Sequence, residues 1–384
     1  MWNLYLESIF GAINADRDLL DAQKQKWETI ATGLPQISGA ISYQNQLKQP
    51  VSLLPGELAG QEPGTFIPIV FGQPQTANAT ATLKQQIFDG SYIVGIQAAK
   101  TFIAYSNNNK EKTDLEVRKA VVEAYGNVLL SQESIAILEK NKANLEKNLF
   151  ETQKLFENGL GDEESVEQLQ ITLSSVENQL KNSLRLQTIT LQMLNLIMGL
   201  EIDTPLRLKE NLSDLAQAQI RLELLEEDLL LDNNIDFKIV DNLNKQRELE
   251  LKLQKSLALP TLNAFLNYGS TSFSDRFNFL SSDSDWFDSS VLGFDLSIPI
   301  FSSLGRSAKT ARAKIALEKA RTQKSETEQN IRLQHQTAKS NYLFSIEQYN
   351  TASENLALAE RIEKKNEIKY SEGLATSFEL RQAQ

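Results

Sequence analysis

The sequence predicts an α+β chain made of two structural repeats, in which pairs of period-two strands alternate with helices of unusual length. Three observations predict it. A unit of about 214 residues occurs twice, the strand segments alternate apolar with polar residues, and stretches of about 60 residues run with no proline and almost no glycine. Among 384 residues there are only 17 Gly and 9 Pro, and the prolines cluster before residue 75, so most of the chain must consist of long elements.

The duplication rests on three collinear matches. Leu34–Tyr43, LPQISGAISY, matches Leu259–Tyr268, LPTLNAFLNY, with Pro35 and Pro260 offset by 225. Ile87, Phe88 and Gly90 match Ile300, Phe301 and Gly305, with an offset of 213 at the phenylalanine. FENGLGDEESVEQLQ matches YSEGLATSFELRQAQ, with Gly159 and Gly373 offset by 214. A period this long is no solenoid unit and implies two equivalent halves.

Taken in order, the first repeat covers 1–231: a leading helix, strands at about 35–46 and 77–88, long helices at about 97–158 and 162–199, and a partly helical connector, 200–231. The second covers 232–384: a leading helix, strands at about 260–270 and 291–301, a long helix at about 306–371, and a truncated return helix. In the strands, Ile37, Gly39, Ile41 and Tyr43 alternate with Ser38, Ala40, Ser42 and Gln44, and Leu292, Phe294, Leu296, Ile298 and Ile300 alternate with Gly293, Asp295, Ser297 and Pro299. This pattern suits a half-buried sheet in water or a tilted barrel strand with lipid on one side. The loops joining the strands carry Phe66, Phe71, Phe273, Phe277, Phe279, Trp286 and Phe287, which fit an interfacial girdle or ordinary loop anchors.

Along the first long helix Val121, Tyr125, Val128, Ile135, Leu138, Leu145, Leu149 and Phe156 recur at an average spacing of about 3.5 residues. The second long helix repeats this with Tyr342, Ser345, Tyr349, Ala352, Leu356 and Ala359. About 60 helical residues make a rod of roughly 90 Å, longer than a compact core needs. Small, mixed seam residues suit helices packed side by side in a closed cylinder, and a plain antiparallel hairpin fits the same periodicity. Asn158–Asp162 breaks the helix with glycine past its end and aspartate as the next cap, and Val166, Leu169, Leu173, Val176 and Leu180 line one face of the return helix. Gly199 stops that helix, and the final helix of the second half is expected to be missing.

Composition narrows the function. No stretch approaches the roughly 20 apolar residues of a spanning helix, and the opening MWNLYLES, with Glu7 among its apolar residues, does not read as a signal peptide. A net charge of −11 with dispersed lysines and arginines argues against nucleic acid as a partner. With no Cys, a single His335 among polar neighbours, and no phosphate loop or nucleophile elbow, neither an enzyme, a cofactor nor a metal site is expected. Asp283 and Asp285 read as solvated acids of a Ser-rich loop.

Four candidate spanning strands cannot close a barrel, whereas three chains supply twelve. At this point the chain resembles the TolC-like outer-membrane efflux protein family. The resemblance rests on the LP strand starts at Pro35 and Pro260, the IFDG and IPIFSSLGR segments, and the tip turns FENGL and YSEGL. It implies an α+β membrane protein: a homotrimer whose twelve-stranded β-barrel, four strands per chain, crosses outer-membrane lipid and continues as a long antiparallel α-helical barrel in the periplasm. A periplasmic adaptor, joined to an inner-membrane transporter, docks at the tips, and the trimer serves as exit duct for efflux or type I secretion. The alternative is a soluble or peripheral coiled-coil scaffold.

By the same resemblance Tyr370 and Glu379 stand where gating residues of the family lie, with Asp162 as a further acid. A ring of like charges at a narrow mouth favours cations and repels itself. The pattern departs from the family's at Ser165, the first-half counterpart of Glu379, at Ala375 and at Gln382, so a differently built constriction is expected; Glu163, Glu164 and Glu372 are further candidates. Gly159, Leu160, Gly373 and Leu374 resemble the adaptor-docking motif, and also serve simply to turn the chain.

Overall fold

The computed structural model describes residues 9–282, 284–375 and 377–383. The opening segment 1–8 and Asp283, both read from sequence above, lie outside the described residues. In chain order the elements are α1 (Phe10–Ala31), β1 (Gln36–Asn45), β2 (Val51–Pro55), β3 (Phe66–Val70), β4 (Gln75–Asp89), α2 (Gly90–Glu157), α3 (Glu163–Ile197), α4 (Leu212–Gln219), α5 (Ile235–Ser256), β5 (Thr261–Ser274), β6 (Phe287–Ser297), α6 (Gly305–Ser371) and α7 (Ser377–Ala383). Two compact units result: a strand unit of 20–105 with 242–321, and a helical unit from the remaining described residues.

In the strand unit, β1, β4, β5 and β6 form one antiparallel sheet in that order. Its register reproduces the duplication: Ile37 opposes Leu83, and moving these by 225 and 213 gives Leu262 and Leu296, which also oppose each other. Because side chains alternate across a strand, Ile37, Leu83, Leu266 and Leu292 stand in one row across all four strands. On the opposite face Phe265 lies over Gly293, where a Cβ would come within 2.3 Å of the ring. A β-bulge between Gln86 and Phe88 interrupts the β4–β5 ladder, which resumes with Phe88 opposite Leu262 and Asp89 opposite Thr261, and Asp89 then caps α2, its Oδ1 accepting from the Ser91 amide at 2.7 Å.

Three differences from the sequence reading have local causes. The segment taken as a loop between the first two strands contains a separate hairpin, β2 with β3, hidden by Pro55 and Pro68. β6 starts at Phe287 and ends at Ser297, where the sequence places a strand at about 291–301; Pro299 has no amide to give a ladder, and the Arg306 guanidinium occupies the Pro299 carbonyl at 2.8 Å and that of Ile300 at 3.2 Å. α2 begins at Gly90, seven residues before the expected start, because the Asp89 cap sets its first turn despite Gly90 and Gly95.

In the helical unit, α2 and α3 form an antiparallel hairpin. Ala124, Val128 and Leu194 are its buried core, covered by Val121, Tyr125, Leu191 and the connector residues Leu206 and Leu208. Lys142 bonds Glu177 across the hairpin at 2.9 Å. The start of α5 is held to both long helices: Lys112 meets Asp236 at 2.8 Å, Lys238 meets Glu111 at 3.2 Å, and Lys324 meets Asp241 at 2.5 Å while lying 5.0 Å from the Phe237 ring. The α6 seam predicted from Tyr349 and Leu356 is exposed within the chain.

Candidate functional site

The two helix tips are built alike. At the first, Gly159 adopts φ 71°, its amide donates to the Phe156 carbonyl at 2.9 Å, and the Leu160 amide donates to Leu155 at 2.9 Å. At the second, Gly373 has φ 71°, its amide donates to Tyr370 at 3.0 Å, and the Leu374 amide donates to Lys369 at 2.8 Å. These are Schellman closures, in which a left-handed glycine lets two amides satisfy the last carbonyls of the helix. In many such motifs the residue after the glycine packs back on its helix. Here Leu160 is 78% exposed and Leu374 74% exposed, so each tip presents an unburied leucine.

The gate candidates fall into different settings. Asp162 caps α3: its Oδ1 accepts from the Ser165 amide at 2.7 Å and its Oδ2 from the Ser165 hydroxyl at 3.1 Å. Its carboxylate thus fixes the tip turn, and Ser165, at the first-half position of Glu379, is the cap's partner. Tyr370 is half-buried in the last turn of α6, where its carbonyl receives the Gly373 amide. Glu379 is exposed in α7, next to the buried Leu380. Behind the tips, Lys147 approaches Glu367 at 4.0 Å, joining α2 to α6.

Several charges along the helices are paired across or within them. The hydrogen bond from Lys142 holds Glu177 below its ordinary carboxyl range, and the same bond raises Lys142. Burial pushes Asp114 up, against the pull of Lys110, which itself pairs with Asp16. Sequence reasoning missed Asn195, a buried residue of α3 whose Nδ2 donates to the carbonyls of Ile202 at 2.9 Å and Thr204 at 2.8 Å, tying the connector to the helix. Only its position four residues before Gly199 hinted at a role. Among the described residues no group of three or more His, Cys, Asp or Glu could hold a metal ion.

The sheet supplies the second surface. Among the described residues no helix is long and apolar enough to cross a membrane. The strands instead carry exposed apolar rows, with Ile37 and Ile41 on β1 and Leu292, Phe294 and Leu296 on β6. At the loop end of the sheet Tyr43 meets Phe277 edge-on at 5.3 Å and Phe279 at 5.9 Å, and Phe273 lies 6.4 Å from Phe287.

A four-stranded antiparallel sheet with a greasy exposed face and two duplicated helical tips fit the outer-membrane channel subunit expected from the sequence. The outer membrane efflux protein profile matches residues 21–200 and 228–384, and the chain belongs to that family. The fold is that of solved channels. VceC from Vibrio cholerae is 16% identical with a TM-score of 0.72, covering 100% of this chain and 88% of that one. The Campylobacter jejuni CmeC outer membrane channel is 17% identical with a TM-score of 0.73, covering 100% and 78%. The Neisseria gonorrhoeae MtrE channel, solved in its open state, is 15% identical with a TM-score of 0.75, covering 100% and 81%. Among curated proteins none matches the chain. The protein is an outer-membrane efflux duct with a periplasmic helical part, a channel and not an enzyme. Family membership implies a trimer that works with an adaptor and an inner-membrane pump, so the coiled-coil scaffold is not favoured.

Proposed function

We propose that three copies surround one pore, that a periplasmic adaptor docks at Gly159, Leu160, Gly373 and Leu374, and that Tyr370 and Glu379 constrict the periplasmic mouth. The observation that carries this reading is the identical closure of the two tips, each presenting an exposed leucine. In a trimer the tips repeat six times, an arrangement suited to an adaptor that grips by shape and apolar contact. Asp162 holds its turn in place through Ser165 and adds a further acid near the mouth.

Surface area supports the trimer. The chain exposes 27088 Å², against roughly 15,000 Å² for a compact monomer of its mass. Outer-membrane lipid covers the exposed rows of the strands, and the aromatic cluster around Tyr43 lies at the level of the headgroups. A duct that supplies no energy takes its cargo from the pump, so substrate choice resides in the transporter. Replacing Leu160 and Leu374 together with Asp is expected to abolish efflux-dependent resistance while leaving expression and trimer mass unchanged. Resistance retained in that variant would remove the tips from adaptor docking.

A further inference from the structure

The sheet ends in two unpaired edges, β1 on one side and β6 on the other. Between them, β4, the second strand of the first repeat, pairs with β5, the first strand of the second repeat. Across a contact between copies the same kinds of strand would meet: β6 is the second strand of its repeat and β1 the first of its own. The offsets that relate the repeats are fixed by the register within the chain, since Ile37 opposite Leu83 maps onto Leu262 opposite Leu296. The same offsets can therefore be applied to the pairing of β4 with β5.

We propose that β6 of one copy pairs antiparallel with β1 of the next in the register inherited from β4 and β5. This rests on the trimer reading and deepens it to single residues. Leu83 opposite Leu266 becomes Leu296 opposite Ile41 of the next copy, and Lys84 opposite Phe265 becomes Ser297 opposite Ala40. Ala81 opposite Tyr268 becomes Phe294 opposite Tyr43.

Two further observations fit this register. Leu296, 61% exposed, and Ile41, 88% exposed, lie on the apolar faces of their strands, so pairing them keeps both greasy faces on one side. A slip of one residue sets Ile41 against Ser297 or Asp295 and mixes the faces of the barrel. The bulge also carries over. Ile87, the residue skipped between Gln86 and Phe88, corresponds to Ile300, and Phe88 opposite Leu262 becomes Phe301 opposite Ile37. The exposed segment Ile298–Phe301, which lies outside β6 in the single chain, thus joins the ladder when the next copy arrives. Pro299 stands at the edge of that bulge, where strands tolerate proline.

The sequence has no cysteine, so every disulfide can be placed at will. The full chain, purified in detergent, is made with Ile41→Cys plus Leu296→Cys and, separately, with Ala40→Cys plus Ser297→Cys. Neighbouring pairs alternate between closer and wider spacing, so the two variants sample both. Controls two residues off register on the same face combine Ile41→Cys with Phe294→Cys or with Ile298→Cys; their Cβ separation is roughly 7–8 Å against about 5 Å for opposed residues. Mild oxidation is expected to give covalent oligomers several-fold more abundantly for the opposed pairs, reversed by reductant. Preferential cross-linking of an offset pair in a protein of trimeric mass overturns the register and leaves the trimer standing. A monomeric mass with no cross-link in any variant overturns the trimer reading itself. Should the variant at Ile41 and Leu296 fail to assemble, the one at Ala40 and Ser297 decides the register by the same comparison.

Discussion

Asn195 anchors the connector that joins the two repeats, and its removal should loosen that connector before anything else. The residue is 1% exposed, beside Leu194, also 1% exposed. Its two hydrogen bonds to the Ile202 and Thr204 carbonyls are worth about 1 kcal/mol each net of solvent. Its Oδ1 has no hydrogen-bond partner, so truncation also relieves an unmet acceptor, while leaving two carbonyls to find water. For Asn195→Ala these contributions leave a loss of about 2 kcal/mol in local stability, which raises the open population of the connector, and with it exchange, by about thirtyfold. Hydrogen exchange reads this through backbone bonds that the substitution leaves in place but that open with the connector: the Leu200 amide to the Asn195 carbonyl at 2.9 Å and the Thr204 amide to the Glu201 carbonyl at 3.0 Å. Unchanged exchange at Leu200 and Thr204 would refute the reasoning. Equal acceleration along α6 would do so as well, since it would mean global unfolding rather than release of one strap.

Other outcomes follow from single positions. Gly159→Ala places a Cβ in the left-handed region and should cost about 1–2 kcal/mol, whereas Gly126→Ala, inside α2 with nothing within 4 Å, should gain about 1 kcal/mol; paired thermal melts compare them. Asp114 has its pKa raised above 3.8 by burial, so the folded chain holds its proton more tightly and stability falls as pH rises through the raised value. Asp114→Asn should therefore flatten the fall of the melting temperature as pH rises above the ordinary carboxyl value, and a steeper fall would contradict the sign. Tyr370→Phe with Glu379→Gln should enlarge the closed-state conductance and weaken cation preference; unchanged current would move the constriction elsewhere.

Much of the architecture was legible because duplication leaves a register in the sequence. The offsets at Pro35 and Phe88 are the ones that carry Ile37 and Leu83 onto Leu262 and Leu296 in the sheet. What stayed hidden depends on long-range pairing or on small caps. The β2–β3 hairpin is written with Pro55 and Pro68, residues that signal loops, and exists because Val51–Pro55 finds Phe66–Val70 across the turn. The start of α2 depends on one aspartate side chain, Asp89, outweighing two glycines. Within the site, Gly159 and Gly373 announce their turns, since a left-handed closure needs glycine. Asp162 was legible as the cap of the return helix from its place after the glycine turn, and its contact with Ser165 bears that cap out. Asn195 carries little pattern beyond its place before Gly199, because its partners are backbone carbonyls of a loop.

The central claim, a trimeric duct through the outer membrane, is tested most directly by single-channel recording of the detergent-purified full chain in a planar lipid bilayer. The account predicts insertion as a trimer and small, cation-selective current steps. A protein that stays in aqueous solution without detergent and never conducts would contradict it.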